Sequence, residues 1–360
     1  MEKIQHTNVQ VRELKLHVAE IGSGPKVVLF FHGFPEIWYT WRHQMVAVAN
    51  KGYRAIAFDH RGYGLSEQPA EPEKATLLDL VDDAVALLDS LGIDKLSYYV
   101  CVRTWFTENA LLENTTASPL SQDHGSFLLA VYKNSKFNLD YLYQAFIVGK
   151  DFGALSAYRV GVLHPERVSA IITLGTPFIQ PGPSVVQNHP LPEGFYISRW
   201  QGRAEADFGR FDVKTVIRNI YILFSKSEIP IAAADQEIMD LIDPATPLPP
   251  WFSEEDLSVY ASLYEKSGFC FALQVPYRKL KVDRSLIDPK VSAPSLLIVG
   301  EKDYSLKMPG VNNYIRTGAM KHLVPDLDVK FIEEGTHFMH EQFPEQVNQL
   351  IIAFLGKHGA

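Results

Sequence analysis

Three short stretches place residues capable of chemistry beside turns. In Phe146-Ile147-Val148-Gly149-Lys150-Asp151-Phe152-Gly153-Ala154 an apolar run ends in small-x-acid-x-small, and the spacing then becomes helical. A tight strand-to-helix turn of this kind lifts one side chain above a sheet, and the glycines let neighbouring backbone pass without a clash. The side chain lifted is a carboxylate, Asp151. A carboxylate that attacks saturated carbon leaves an ester that water can open at the enzyme's own carbonyl, whereas a serine would leave an ether that water cannot cleave. The motif therefore selects substrates with an electrophilic sp3 carbon. Epoxides and alkyl halides fit, and peptides and ordinary esters fit poorly. The competing reading is a glycine-flanked turn acid with no chemistry.

Downstream, the strand-like run Ser295 to Val299 enters Gly300-Glu301-Lys302-Asp303, and Val329 to Ile332 enters Glu333-Glu334-Gly335-Thr336-His337-Phe338. The chain order nucleophile, acid, histidine is that of an α/β-hydrolase triad. Singly, an Asp after a strand is usually a cap and a lone His is usually structural, and Glu301 and His340 stand as near alternatives. Upstream, in Phe31-His32-Gly33-Phe34-Pro35-Glu36, Gly33 and Pro35 fix a turn from which the Phe34 amide could face the nucleophile. With the amide of Phe152 it would form an oxyanion hole worth about 3 kcal/mol per donor, the alternative being an ordinary turn. The Gly-rich turn Asp59 to Ser66 lacks the Gly-Lys-Ser/Thr ending of a phosphate loop and reads as scaffold.

The elements that must position these groups alternate. Val27 to Phe31, Arg54 to Phe58, Phe146 to Gly149, Ala170 to Leu174, Ser295 to Val299 and Val329 to Ile332 are short, apolar and closed by polar or Gly-bearing turns, as strands covered on both faces are. Between them Leu77, Leu80, Val81, Ala84, Val85, Leu87, Leu88 and Leu91 follow helical spacing up to Gly92, and Leu155 to Leu163 and Gln346 to Leu355 behave similarly. The order predicts an α/β fold, a doubly wound, mostly parallel sheet with function at the carboxyl ends of its strands. Pro181 to Asp288, proline-rich at its edges and helical between, reads as a lid inserted between a first core part, 1–180, and a second, 289–360. Segment 97–144 is far longer than the connection expected there and has no sustained period.

The 360 residues are 46% hydrophobic and 21% charged, an ordinary globular composition. A net charge of −8 without basic runs argues against nucleic acid as a partner. No run approaches the roughly 18 apolar residues of a membrane span, and the N-terminus lacks a basic region followed by an apolar one, so a cytoplasmic protein without membrane partners is expected. Cys101 and Cys270 are too few and too far apart for a disulfide framework or metal site.

The motifs at 32–36, 59–66, 149–153, 300–303 and 335–338 resemble those of soluble epoxide hydrolases of the α/β-hydrolase superfamily, closest to the plant type, across nearly everything outside 97–144. Phe195-Tyr196-Ile197-Ser198-Arg199-Trp200-Gln201 and Val275-Pro276-Tyr277-Arg278 look like that family's two lid-tyrosine motifs. The resemblance implies conversion of a small-molecule epoxide and water to a vicinal diol, with no metal or organic cofactor, by a monomer or homodimer. It implies that Asp151 opens the ring while Tyr196 and Tyr277 hold and protonate the oxygen, and that His337, oriented by Asp303, then activates water. Trp200, His32 and Pro35 would contact substrate. A phenol, with an ordinary pKa of about 10, is protonated at neutral pH yet acidic enough to protonate a departing alkoxide; simple aromatic packing is the plain alternative for both tyrosines.

A dehalogenase on the same scaffold would need halide donors, and Phe152 and Phe34 stand where such relatives carry them. A non-catalytic ligand binder or inactive protein of the same fold is the reading from a different class. Three features depart from the family. Lys150 stands where many relatives have His, and is expected to point away from Asp151 and affect it little. The turn Gln201 to Glu205 is shorter than usual, which bears on Tyr196. Segment 97–144 has no counterpart; it is expected to be loosely packed and dispensable, so that joining Leu96 to Ala145 preserves activity.

Overall fold

A computed structural model describes residues 3–93, 144–179, 191–278 and 289–359. Eight strands form one sheet: β1 (Gln5–Val11), β2 (Leu14–Ile21), β3 (Val27–Phe31), β4 (Arg54–Phe58), β5 (Ala145–Lys150), β6 (Val168–Leu174), β7 (Ser295–Gly300) and β8 (Leu327–Ile332), in the spatial order β1-β2-β4-β3-β5-β6-β7-β8. From β4 to β8 all pairings are parallel, while β2 meets β1 and β4 antiparallel. The six predicted strands are thus β3 to β8. The hairpin β1–β2 escaped the reading because β1 is an edge strand whose residues Gln5 to Asn8 face solvent and carry no apolar signal.

Residues of β3 show how the sheet is covered. Val28 and Phe30 join one apolar cluster and Val27, Leu29 and Phe31 the other, the period of two that a strand buried on both faces must show. Helices α1 (Arg42–Ala49), α2 (Leu77–Ser90) and α3 (Phe152–Leu163) connect the first strands. After β6 the chain leaves the sheet for α4 (Tyr196–Trp200), α5 (Ala204–Phe208), α6 (Val213–Phe224), α7 (Glu254–Ser267) and a π-helical turn, Gln274–Arg278. It returns through β7, α8 (Val311–Arg316), β8, α9 (Met339–Gln342) and α10 (Pro344–His358).

The helical segment 191–278 shares a core with the sheet: Trp200, Phe208, Ile217, Tyr221 and Tyr264 are fully or nearly fully buried in the cluster that also holds Phe30 and Phe34. Tyr63 donates its hydroxyl to Ala272 O at 3.0 Å, fastening the turn after β4 to this segment. Among the described residues no helix is long and apolar enough to cross a membrane. Segment 97–144, apart from Gln144, and Cys101 within it lie outside the described residues.

Candidate active site

The strand order reverses about β3: β4 lies on one side of it and β5 on the other, so a crevice opens beyond their carboxyl ends. Asp151 sits in that crevice, between β5 and α3, with φ 54° and ψ −131°. A non-glycine residue rarely holds positive φ, a cost of order 1–3 kcal/mol that surrounding structure must offset. Two glycines make the offset possible. A Cβ on Gly33 would fall 2.4 Å from Asp151 Cβ, and one on Gly153 would fall 2.4 Å from His32 O, so β3 and the first turn of α3 can close on Asp151 only where side chains are missing.

The carboxylate meets a backbone donor on one side and an imidazole on the other. Phe34 N donates to Asp151 Oδ1 at 3.2 Å. Phe152 opens α3, where backbone N–H groups have no intrahelical acceptor. His337 Nε2 lies 3.8 Å from Asp151 Oδ2, and its Nδ1 lies 3.2 and 3.1 Å from the two oxygens of Asp303. Asp303 also accepts from Ser305 N at 2.9 Å, which caps the short turn Tyr304–Lys307. Burial works against the Asp303 charge, but the neighbouring imidazole and these hydrogen bonds outweigh it and hold the carboxyl below its usual range. His337 Nε2 is buried and has no hydrogen-bond partner among the described residues. The alternatives lie elsewhere: His340 Nε2 meets Thr40 Oγ1 at 2.6 Å, and Glu301 pairs with Arg316.

Tyr196 and Tyr277 come from separate elements, α4 and the π-helical turn, yet their rings meet edge to face with centroids 6.1 Å apart. Burial, assisted by the Asp151 carboxylate, pushes both phenols well above the ordinary tyrosine range, so they are neutral donors. Trp200 stands edge-on to Phe34, Tyr196 and Tyr277, and its indole N–H has no partner among the described residues. Pro35 follows a cis peptide bond in the buried turn after β3.

Other groups in this region are spent on the scaffold. His32 accepts from His60 N on Nε2 at 3.0 Å, which leaves its proton on Nδ1 to be donated to Gly33 O at 2.8 Å. With both nitrogens engaged by backbone, His32 shapes the turn rather than offering a polar atom to substrate. Asp59 ties the other turn, accepting from Trp38 N at 2.9 Å and Leu65 N at 3.1 Å.

Sequence reading missed two contacts. Lys150, fully buried, places Nζ 2.9 Å from Glu36 Oε1, and Glu36 Oε2 accepts from Gly33 N at 3.1 Å, so the residue before Asp151 braces the turn that presents Phe34 N. Tyr304 Oη lies 3.1 Å from Tyr196 Oη. Among the described residues, Glu36, His340 and Glu341 have donor atoms close enough to hold a metal ion, but protein cations are already there: Lys150 on Glu36, and Arg42 NH1 at 2.5 Å on Glu341.

Known proteins resemble this chain over nearly its whole length. A family model described as the alpha/beta hydrolase fold matches residues 26–100. Two epoxide hydrolases of Siraitia grosvenorii are 32% and 33% identical over 99% of this chain and 100% of their own. The chain belongs to the epoxide hydrolases. Among solved structures, an epoxide hydrolase from Vigna radiata superposes with TM-score 0.79 at 32% identity, covering 99% of both chains, and a potato epoxide hydrolase variant with TM-score 0.76 at 31% identity, covering 99% of this chain and 100% of its own. In this epoxide hydrolase Asp151 lies near His337, and Tyr196 and Tyr277 meet edge to face.

Proposed function

We propose that the chain hydrolyses an epoxide to a vicinal diol through a covalent alkyl-enzyme ester on Asp151. In the first step an Asp151 oxygen attacks a ring carbon, the carbon–oxygen bond of the ring breaks, and the departing oxygen takes a proton from the phenols of Tyr196 and Tyr277. In the second, His337, oriented by Asp303, removes a proton from water as that water attacks the ester carbonyl, the amides of Phe34 and Phe152 hold the oxyanion, and the ester carbon–oxygen bond then breaks as the departing diol oxygen takes the proton from His337. Residues 181–288 act as the lid over a core formed by 1–180 and 289–360, and Trp200 and Pro35 shape the substrate wall.

The observation that carries this reading is the arrangement about Asp151: Phe34 N at 3.2 Å on one oxygen and His337 Nε2 at 3.8 Å from the other. A serine-type mechanism has no residue to run on here, because the elbow presents a carboxylate. Turnover of a chromogenic epoxide and of a haloalkane tests it. Diol formed by the wild type and abolished in Asp151→Asn is expected. Halide release without diol would mean a dehalogenase, and no turnover of either would mean a binding protein.

A further inference from the structure

Tyr304 is the residue after Asp303, and no step above uses it. It is 4% exposed, and its ring lies 5.0 Å from that of His337 and 6.0 Å from that of Tyr196. Its orientation is set by the turn that holds Asp303, since Ser305 N, two residues beyond, binds the Asp303 carboxylate. Its hydroxyl meets the Tyr196 hydroxyl at 3.1 Å. Among the described residues no other hydrogen bond reaches the Tyr196 hydroxyl, and none reaches that of Tyr277. The two phenols, whose rings meet edge to face, are therefore not equivalent, because one has a third phenol behind it.

A phenol has one proton to donate. When Tyr196 points its proton at an epoxide oxygen, the contact with Tyr304 survives only if Tyr304 donates to Tyr196 Oη. We propose that Tyr304 is a positioning residue for ring opening, donating to Tyr196 Oη while Tyr196 gives its proton to the departing oxygen, so that Tyr196 is the principal acid of the pair. This rests on the ester route above. The step balances within the site. The Asp151 oxygen–carbon bond forms, the ring carbon–oxygen bond breaks, and the Tyr196 proton passes to the new hydroxyl. Tyr304 keeps its own proton and stabilises the phenolate left on Tyr196. Ester hydrolysis then breaks the ester carbon–oxygen bond: the departing diol oxygen takes the proton that His337 removed from water, and the second water proton, lost from the Asp151 carboxyl, restores Tyr196.

The electrostatics run the same way. Burial raises Tyr304 well above the ordinary tyrosine range, and the Asp151 and Asp303 carboxylates add to it, so Tyr304 remains protonated. Burial raises Tyr196 too, but the hydrogen bond from Tyr304 works against that rise. A donor behind an incipient phenolate strengthens as charge develops, which is the condition for favouring a transition state over a bound substrate.

The test is a double-mutant cycle on the single-turnover rate of ring opening, followed by rapid quench and intact mass. Tyr304→Phe keeps the ring and removes only the hydroxyl. Ring opening is expected to slow on the order of tenfold in the wild-type and Tyr277→Phe backgrounds. On top of Tyr196→Phe it should add nothing, and decay of the preformed ester should keep its rate. Equal losses in the Tyr196→Phe and wild-type backgrounds, or no loss in either, would overturn the role of Tyr304. If instead the wild type forms no ester, the Asp151 reading fails, and that outcome is separable because it precedes any comparison of variants.

Discussion

His337 Nε2 and Asp151 Oδ2 are 3.8 Å apart, beyond hydrogen-bond range, while His337 Nδ1 is held by Asp303 at 3.1 Å. A base that activated the nucleophile would have to touch it. A carboxylate needs no such activation, and on the proposed ester route the gap leaves His337 free to act on a water directed at the ester carbonyl.

It follows that the two half-reactions separate in His337→Gln. Ring opening should proceed and hydrolysis stall, so that the protein accumulates as an ester with a mass increase equal to that of the substrate in intact-protein mass spectrometry. A His337→Gln variant that turns over normally would remove His337 from the mechanism.

Asp303 gives the pH dependence its sign. Its carboxyl lies below the usual carboxylate range in the folded protein, so its contribution to stability is fully present above the unfolded value of about 4 and is lost as pH falls through the lower, folded value. Urea midpoints of wild type and Asp303→Asn should therefore converge as pH drops below about 4 and stay apart above it. A gap independent of pH would show that the carboxylate charge is not what stabilises this corner.

Lys150, expected to point away from Asp151 and affect it little, is fully buried against Glu36, whose second oxygen holds Gly33 N. Lys150→Met leaves that carboxylate buried without its cation, a loss of roughly 3–5 kcal/mol. Adding Glu36→Gln removes the stranded charge and should recover part of it. Chemical denaturation of the two variants checks this, and a Lys150→Met protein as stable as wild type would show that the pair does not brace the turn.

How much of this was legible depends on distance along the chain. Strands β3 to β7 announce themselves because burial on both faces makes each a nearly continuous apolar run, while β8, at the sheet edge with Asp328 and Lys330 exposed, shows itself by alternation; Asp151, Asp303 and His337 are readable because each lies just past a strand. The edge strand β1, with Gln5 to Asn8 in solvent, has no such signal. Lys150–Glu36 and Tyr304–Tyr196 join segments far apart in sequence, and nothing local says which way a buried lysine or a phenol after a strand-end acid will turn. An aromatic beside Asp303 was the available hint; its partner depended on where α4 packs.

The central claim is that water attacks the enzyme's own carbonyl and not the epoxide. A single turnover in H₂¹⁸O, with enzyme in excess, followed by proteolysis and mass spectrometry of the peptide containing Asp151, tests it directly. The account predicts that the heavy oxygen appears in the Asp151 carboxylate and that the diol from this first turnover carries none. Label passing straight into the diol, with the Asp151 peptide unchanged, would contradict it.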